Sequence, residues 1–381
     1  MDPRDFTARE AGRVIRADGG YFAFVPSPLP PEIEWDTELV MSLSRADAAL
    51  SSLSCVGSQL PNPHLLMDPY ARREAVLSSR IEGTQASLLD LFLEEIEPER
   101  VEASRDEVRE VRNYVASLEH GLSRLSELPL SLRLVREIHE ILMTGVRGGH
   151  ATPGEFRRLQ NWIGSPGSTI ETAAYVPPPP DEMNDALGEW EGFLHDRESL
   201  PDLVQCALIH EQFEAIHPLL DGNGRIGRLL ITLFLIERGR LSQPLLYLSA
   251  YFEANRNGYY DALQQVRTGG RWKGWLLFFL AGVHQVASQA ADQARQLAEM
   301  REHYRGLVAG KPKALALVDE IFRSPVASAA SAARRLRVSD PTARTAIAAL
   351  ESVGLLEEYT GRAWGKVWIA RPVMEVLERP L

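Results

Sequence analysis

Apolar residues recur at helical spacing through most of this chain, and Gly and Pro punctuate the intervals between those stretches. The spacing predicts helices over residues 39–53, 69–79, 87–95, 101–125 and 132–144. It resumes over 185–195, 203–216, 225–238 and 259–265, then runs from 272 to about 309. Residues 21–34 (YFAFVPSPLPPEIE) are proline-rich and extended, an irregular lead-in to the first helix. Between 151 and 180 the helical period breaks. There Trp162 and Ile163, then Gly164, Pro166 and Gly167, then Tyr175 and Val176 predict two short strands and a loop, a β-hairpin flap on a mainly α chain.

After Lys311 the pattern becomes short helix, turn, short helix, turn, helix and two strands, the grammar of a small separate domain. Residues 313–322, 328–336 and 341–353 are its predicted helices, and 355–360 with 366–370 a hairpin turned at Gly361. The arrangement resembles a winged helix-turn-helix.

Composition narrows the class without naming a function. The 381 residues are 45% hydrophobic and 24% charged, enough to bury a core in two or three domains. No run approaches the roughly 18 apolar residues of a membrane span, and the polar start excludes a signal peptide, so a cytoplasmic address and no membrane partner are expected. Two cysteines, Cys55 and Cys206, are too few for a disulfide framework or zinc site and read as reduced buried thiols. The net charge of -11 argues against a chain wholly devoted to nucleic acid. Residues 311–381 nonetheless carry 11 basic and 8 acidic side chains, a local excess of positive charge.

The chemistry concentrates in residues 217–228, HPLLDGNGRIGR. Pro218 stops the preceding helix, which leaves His217 in a loop as the one group there able to accept a proton near neutral pH. Gly222 and Gly224 flank Asn223, so the backbone amides can approach an anion without a Cβ in the way. The helix predicted from about Arg225 adds the partial positive charge of its N-terminus. Arg225 and Arg228, three apart, supply guanidinium groups for phosphate oxygens, and Asp221 is a hard oxygen ligand for the Mg²⁺ that accompanies a nucleotide. His210, on the apolar side of the helix before the loop, reads as a structural histidine.

This segment resembles the motif of the Fic family: His-Pro-Phe, a variable residue, an acidic residue, Gly-Asn-Gly-Arg and a second Arg three later. Leu219 replaces the usual Phe. The resemblance implies a Fic-type helical bundle that transfers AMP from ATP to a protein hydroxyl. In it His217 would deprotonate the hydroxyl, Asp221 bind Mg²⁺, Asn223 with the Gly222 and Gly224 amides hold the α-phosphate, and Arg225 and Arg228 hold the outer phosphates. Residues 153–157 (PGEFR), 162–164 and 174–177 (AYVP) resemble the lead-in and flap that binds the target segment, with Ile163, Gly164 and Tyr175 as flap residues. Residues 251–260 (YFEANRNGYY) resemble the stretch around adenine, with Asn255 and Tyr259 as lining residues. Residues 78–83 (SSRIEG) resemble the inhibitory motif, in which Glu82 pairs with Arg228, Ser78 orients it and Gly83 follows; in some relatives that Glu instead serves removal of AMP. The implied division is an N-terminal helical region with the inhibitory motif (1–110), a Fic catalytic core (111–290), and a connecting helix with the winged-helix domain (291–381).

Two rivals stand beside this reading. One is a DNA-binding regulator that uses residues 311–381, with Thr342, Arg344 and Thr345 on the recognition helix, Arg362 and Lys366 in the wing, and Arg334, Arg335 and Arg337 toward phosphates. The other is the phosphoryl transfer of the Doc branch, which replaces the second loop glycine by Lys; Gly224 argues against it. The partners read from the chain are a protein with a modifiable hydroxyl, DNA through 311–381, and a second copy of the chain.

Overall fold

The computed structural model describes residues 1–59, 64–97, 101, 103–146, 152–165 and 167–381. Ala151 and Pro166 of the predicted flap lie outside the described residues. The chain opens with an antiparallel hairpin, β1 (Gly12–Arg16) and β2 (Phe22–Pro26), in the register Val14 to Phe24. Helices α1 (Thr37–Gln59), α2 (His64–Ile81), α3 (Leu88–Glu94), α4 (Arg105–Arg124) and α5 (Leu132–Leu142) follow. After the flap region come α6 (Pro180–Leu194), α7 (Asp202–Ile216), α8 (Asn223–Glu237), α9 (Ser249–Ala254), α10 (Arg256–Gly269) and the long α11 (Trp272–Leu307). The C-terminal unit is α12 (Pro312–Arg323), β3 (Val326–Ser328), α13 (Ala329–Leu336), α14 (Asp340–Ser352), β4 (Glu357–Glu358), β5 (Val367–Ile369) and α15 (Arg371–Leu377), with strand order β3-β5-β4.

Local signals account for several of these starts. Ser87 and Ser104 each cap a helix through a reciprocal pair with the residue three later, Asp90 and Glu107. The stripe of Leu134, Val135, Ile138 and Leu142 buries one face of α5. Helix α7 differs, because thirteen of the residues after Leu203 are buried along with it and the helix runs through the centre of the bundle. Helix α8 is nearly as enclosed, and the α7–α8 pair is therefore the rigid support on which the intervening loop sits.

Several expectations are corrected. The irregular lead-in (21–34) starts with strand β2, which pairs with β1 before it across a turn at Asp18, Gly19 and Gly20, a strong hairpin signal. Helix α2 begins at His64, before Pro69, and α8 begins at Asn223, before Arg225. The predicted flap hairpin reduces to one antiparallel bridge, Ile163 with Tyr175. It is backed by β2, since Phe24 N donates to the Val176 carbonyl at 2.9 Å. The C-terminal unit has the helix and strand order expected of a winged helix-turn-helix, with a third strand, β3, and a closing helix, α15, beyond what the pattern predicted. Its Arg335 does not face outward: it donates to the Ser324 hydroxyl at 3.0 Å and the Val326 carbonyl at 3.3 Å. Cys206 is buried as expected, whereas Cys55 is exposed on α1. Among the described residues no helix is long and apolar enough to cross a membrane.

Candidate active site

Helix α7 ends on His217, which adopts the left-handed conformation (φ 49°, ψ 57°) with its N–H bonded to the Phe213 carbonyl at 2.9 Å. A non-glycine residue held there costs about 1–3 kcal/mol, so surrounding contacts must impose the turn. Arg157 supplies them. Its buried guanidinium donates from Nε to the His217 carbonyl at 2.9 Å, from Nη1 to Leu159 at 3.3 Å and from Nη2 to the carbonyls of Pro178 and Ile216, while its N–H donates to the Pro218 carbonyl at 2.9 Å. Burial lowers its pKa to about 10, against the opposing pull of Tyr175 and Tyr21. One side chain thus joins the histidine loop to the flap. Arg157→Ala is expected to cost about 3 kcal/mol in a guanidinium unfolding curve, because several buried carbonyls lose their donor together.

The His217 ring is half-buried, with Nδ1 enclosed and without a hydrogen-bond partner, so Nε2 is the nitrogen a hydroxyl can reach. Burial first, then the charges of Arg157 and Arg267, lower its pKa to about 3, with the Glu214 carbonyl opposing. The imidazole is therefore neutral at physiological pH, which is the form a general base needs. His210 is the structural histidine expected. Nδ1 faces the Gly227 carbonyl at 3.0 Å and can only donate to it, so Nε2 accepts from the Tyr259 hydroxyl at 2.8 Å.

The loop itself is closed from within. Asn223 Oδ1 accepts from Leu219 N at 2.9 Å and its Nδ2 donates to the Leu219 carbonyl at 2.8 Å, so this side chain holds the loop and does not reach toward a phosphate. Asn161 Nδ2 binds the same carbonyl at 2.9 Å. Gly222, at φ 81°, caps α8 in a conformation that a side chain would strain. His139 of α5 fastens the loop from below. Its Nδ1 accepts from Gly154 N at 3.1 Å, and its Nε2 donates to the Asp221 carbonyl at 3.2 Å. Burial lowers its pKa to about 4, so it stays neutral.

The two arginines separate. Arg225 is buried between Asp221, whose Oδ1 lies 3.4 Å from Nη2, and Glu110, whose Oε2 lies 3.8 Å from Nη1, and so braces the acidic residue instead of standing free at the helix mouth. Asp221 is half-exposed; its Oδ1 also accepts from Gly222 N at 2.6 Å, and its second oxygen takes no hydrogen bond from the described residues. Among the described residues there is no cluster of three metal-ligating side chains. A single open carboxylate at a helix N-terminus fits a Mg²⁺ that takes its other ligands from phosphates and water.

Arg228 sits deeper, its side chain 1% exposed, and the end of α2 with the following turn holds its Nε and Nη2. Nε donates to Ser78 Oγ at 2.9 Å, Nη2 to the Ser78 carbonyl at 2.9 Å, and Nη2 to Glu82 Oε1 at 2.7 Å. Burial opposes its charge, but Glu82, Tyr259 and Glu214 outweigh burial and its pKa is raised. The Glu82 carboxylate lies directly over Gly224, where a Cβ would fall 2.3 Å from Oε1. It therefore covers the first turn of α8. Gly83, at φ 107°, turns the chain away, and Thr84 Oγ1 then donates to Glu110 Oε2 at 3.1 Å.

Two buried carboxyls flank this pair. Glu214, one turn before His217, has an unpartnered Oε1 that fits only because Gly227 has no side chain; burial pushes it up to about 7, against Arg228. Glu74, one turn before Ser78 on α2, accepts from Tyr114 at 3.1 Å and from the Ser249 hydroxyl, and burial pushes it up to about 7 despite those partners. Folded Glu74 holds a proton that the unfolded chain releases near pH about 4.3, so its contribution to stability is present below that pH and lost as pH rises through 7. Glu74→Gln removes that loss. Its melting temperature relative to the parent's is expected to rise steadily between pH 4.5 and 7.5 in calorimetric scans.

The remaining predicted residues divide. Ile163 exchanges both backbone bonds with Tyr175, at 2.8 and 3.1 Å, and Gly164 is exposed beside it. The Tyr175 side chain points inward, donating to the Ala215 carbonyl at 2.7 Å beneath the Arg267 guanidinium, so it anchors the flap and offers no side chain to a target. Tyr259 is buried against Phe252, with ring centroids 4.5 Å apart, and lines no open site. Asn255 is exposed and caps α9 by donating from Nδ2 to the Tyr251 carbonyl at 3.0 Å.

Residues 40–123 match the Fic/DOC family N-terminal region and residues 129–235 the Fic/DOC family, together about half of the chain. The chain belongs to the Fic family. Within this Fic protein the second matched segment ends inside α8, two residues before its end, and the two segments include both Glu82 and Arg228. A probable protein adenylyltransferase of Aquifex aeolicus is 27% identical over 53% of this chain and 57% of its own length. A protein adenylyltransferase Fic of Culex quinquefasciatus is 30% identical over 37% of this chain and 25% of its own. The Fic protein thus spans about half or less of these curated relatives. Its fold is shared with a Fic family protein of Desulfovibrio desulfuricans (TM-score 0.60, 20% identity, 90% of this chain and 98% of that one). A Fic domain containing signaling protein of Bacteroides thetaiotaomicron is also similar (TM-score 0.51, 18% identity, 68% and 97%).

Proposed function

We propose that this Fic protein transfers the AMP moiety of ATP to a hydroxyl of a protein, and that Glu82 restrains the transfer. The observation that carries the reading is the convergence, on one helix N-terminus, of a neutral base at His217 and a buried guanidinium at Arg228 whose phosphate-facing edge is held by a carboxylate. His217 Nε2 takes the hydroxyl proton; the oxygen bonds to the α-phosphorus, the bond from that phosphorus to the bridging oxygen breaks, and pyrophosphate leaves. The Gly224 amide and the α8 dipole receive phosphate charge, whereas the Gly222 amide is taken by Asp221 Oδ1. Asp221 would hold Mg²⁺, which when bound neutralises phosphate charge. Arg228 receives the outer phosphates once Glu82 leaves. Label should pass to protein from α-labelled but not from γ-labelled ATP; γ-label alone would make the protein a kinase and overturn the reading.

A second reading concerns the C-terminal unit. Arg344, Arg362 and Lys366 are exposed together with Trp364, which is 83% exposed on the β4–β5 loop, a cationic and aromatic surface suited to DNA. A salt-dependent shift of duplex DNA by the full chain tests it.

A further inference from the structure

Helix α2 and the turn that closes it place Glu74, Ser78 and Glu82 four residues apart, facing Tyr114, Ser249 and Arg228. The flanks of α2 are gripped by the C-terminal unit. On one flank Asp68 accepts from Arg323 Nε, and α12 packs along α2. On the other flank Arg73 Nη2 donates to the Arg379 carbonyl at 2.9 Å. The segment holding Arg379 is tied in turn to α11, where Gln293 Nε2 donates to the Val376 carbonyl and Gln289 Nε2 to the Pro380 carbonyl, each at 2.9 Å. Between α2, α9 and this segment lies a cavity of about 220 Å³, lined by Arg73, Leu77, Arg80, Ala250 and Leu381. The helix therefore has room to move on the side from which the last residues hold it.

We propose that the C-terminal unit, residues 312–381, is a latch on the inhibitory helix. Seated on both flanks of α2, it holds Glu82 over Gly224 and against Arg228; displaced, it lets α2 shift into the cavity and frees Arg228 for phosphate. The inference rests on the reading of Glu82 as a restraint. The coupling needs no contact between the C-terminal unit and the active-site loop, because α2 carries Asp68, Arg73 and Ser78, and Glu82 follows it by one residue, tied back to the helix by its N–H to the Ser79 carbonyl at 3.0 Å. Neither Asp68 nor Arg323 touches the residues assigned to binding or proton transfer, so a change there acts only through α2.

The test uses the full chain and incorporation of α-labelled ATP. Asp68→Arg and Arg323→Asp each replace an attraction by a repulsion and are expected to raise labelling about two- to fivefold, the range that an exposed ion pair can shift. The double variant, which restores the pair with its charges exchanged, should return to the parent rate. In a Glu82→Gly background Asp68→Arg should change nothing, since the restraint is already gone. Thermal melts of each variant check folding, and Arg323→Asp serves where Asp68→Arg melts early. Two outcomes overturn the latch alone: both single variants at the parent rate while Glu82→Gly is fast, or a rise that persists in the Glu82→Gly background. If Glu82→Gly is no faster than the parent, the restraint itself fails and the latch falls with it.

Discussion

Replacing His217 by alanine, in a chain that also carries Glu82→Gly, is expected to lower transfer of label from α-labelled ATP by about 10²- to 10⁴-fold, the range that general base catalysis supplies. The Glu82→Gly background makes the loss measurable. His217 starts the reaction unprotonated. Its pKa, lowered to about 3 by burial and by Arg157 and Arg267, leaves Nε2 ready to accept a proton throughout the neutral range. The rate should therefore show no histidine inflection between pH 5 and 8. Nucleotide affinity should change little, because the groups proposed to meet the phosphates, the Gly224 amide and Arg228, belong to α8 and not to the histidine. A His217→Ala variant that transfers label within threefold of its background would remove the residue from the reaction.

Glu82→Gly by itself is expected to raise self-labelling about ten- to 150-fold. The estimate follows from the charge-assisted hydrogen bond at 2.7 Å to a guanidinium that is otherwise enclosed. Such a bond contributes about 1.5–3 kcal/mol, and a phosphate must compete against it to reach Arg228. The glycine also clears the space above Gly224 that Oε1 now fills. Ser78 is retained in this variant, so Arg228 keeps two donors' worth of contacts to α2 and stays aligned. Titration calorimetry should show the same change as tighter ATP binding. An affinity equal to the parent's would mean that Glu82 does not compete with the nucleotide.

The helical plan was legible because α4, α5 and α12 are amphipathic, each with one face toward the core and caps or breakers at its ends. The β1–β2 hairpin escaped because its prolines and glycines resemble those of a loop, although Val14 and Ile15 facing Phe24 and Ala23 make a short strand pair. The flap was overread as two strands. Its segment has β-favouring residues, but among the described residues it carries one bridge, Ile163 with Tyr175. His139, Arg157 and Glu110 were invisible for a common reason. Each sits in an ordinary amphipathic or loop context, and each serves the site through contacts to residues dozens of positions away.

The order of residues from His217 to Arg228 determined by itself which groups could act together, because a base, a carboxylate, the loop glycines and two arginines at that spacing fall on one loop and one helix turn. The spacing could not decide which groups are free. That depended on packing: Asn223 turns back to close the loop, Arg225 is drawn to Asp221 and Glu110, and Tyr175 and Tyr259 are taken into the interior. Arg228 alone meets Glu82, 146 residues earlier in the chain, and only the docking of α2 across α8 brings that carboxylate over Gly224. A local pattern can place groups on one surface, but a pair so distant in sequence exists only where the bundle's core holds two helices together.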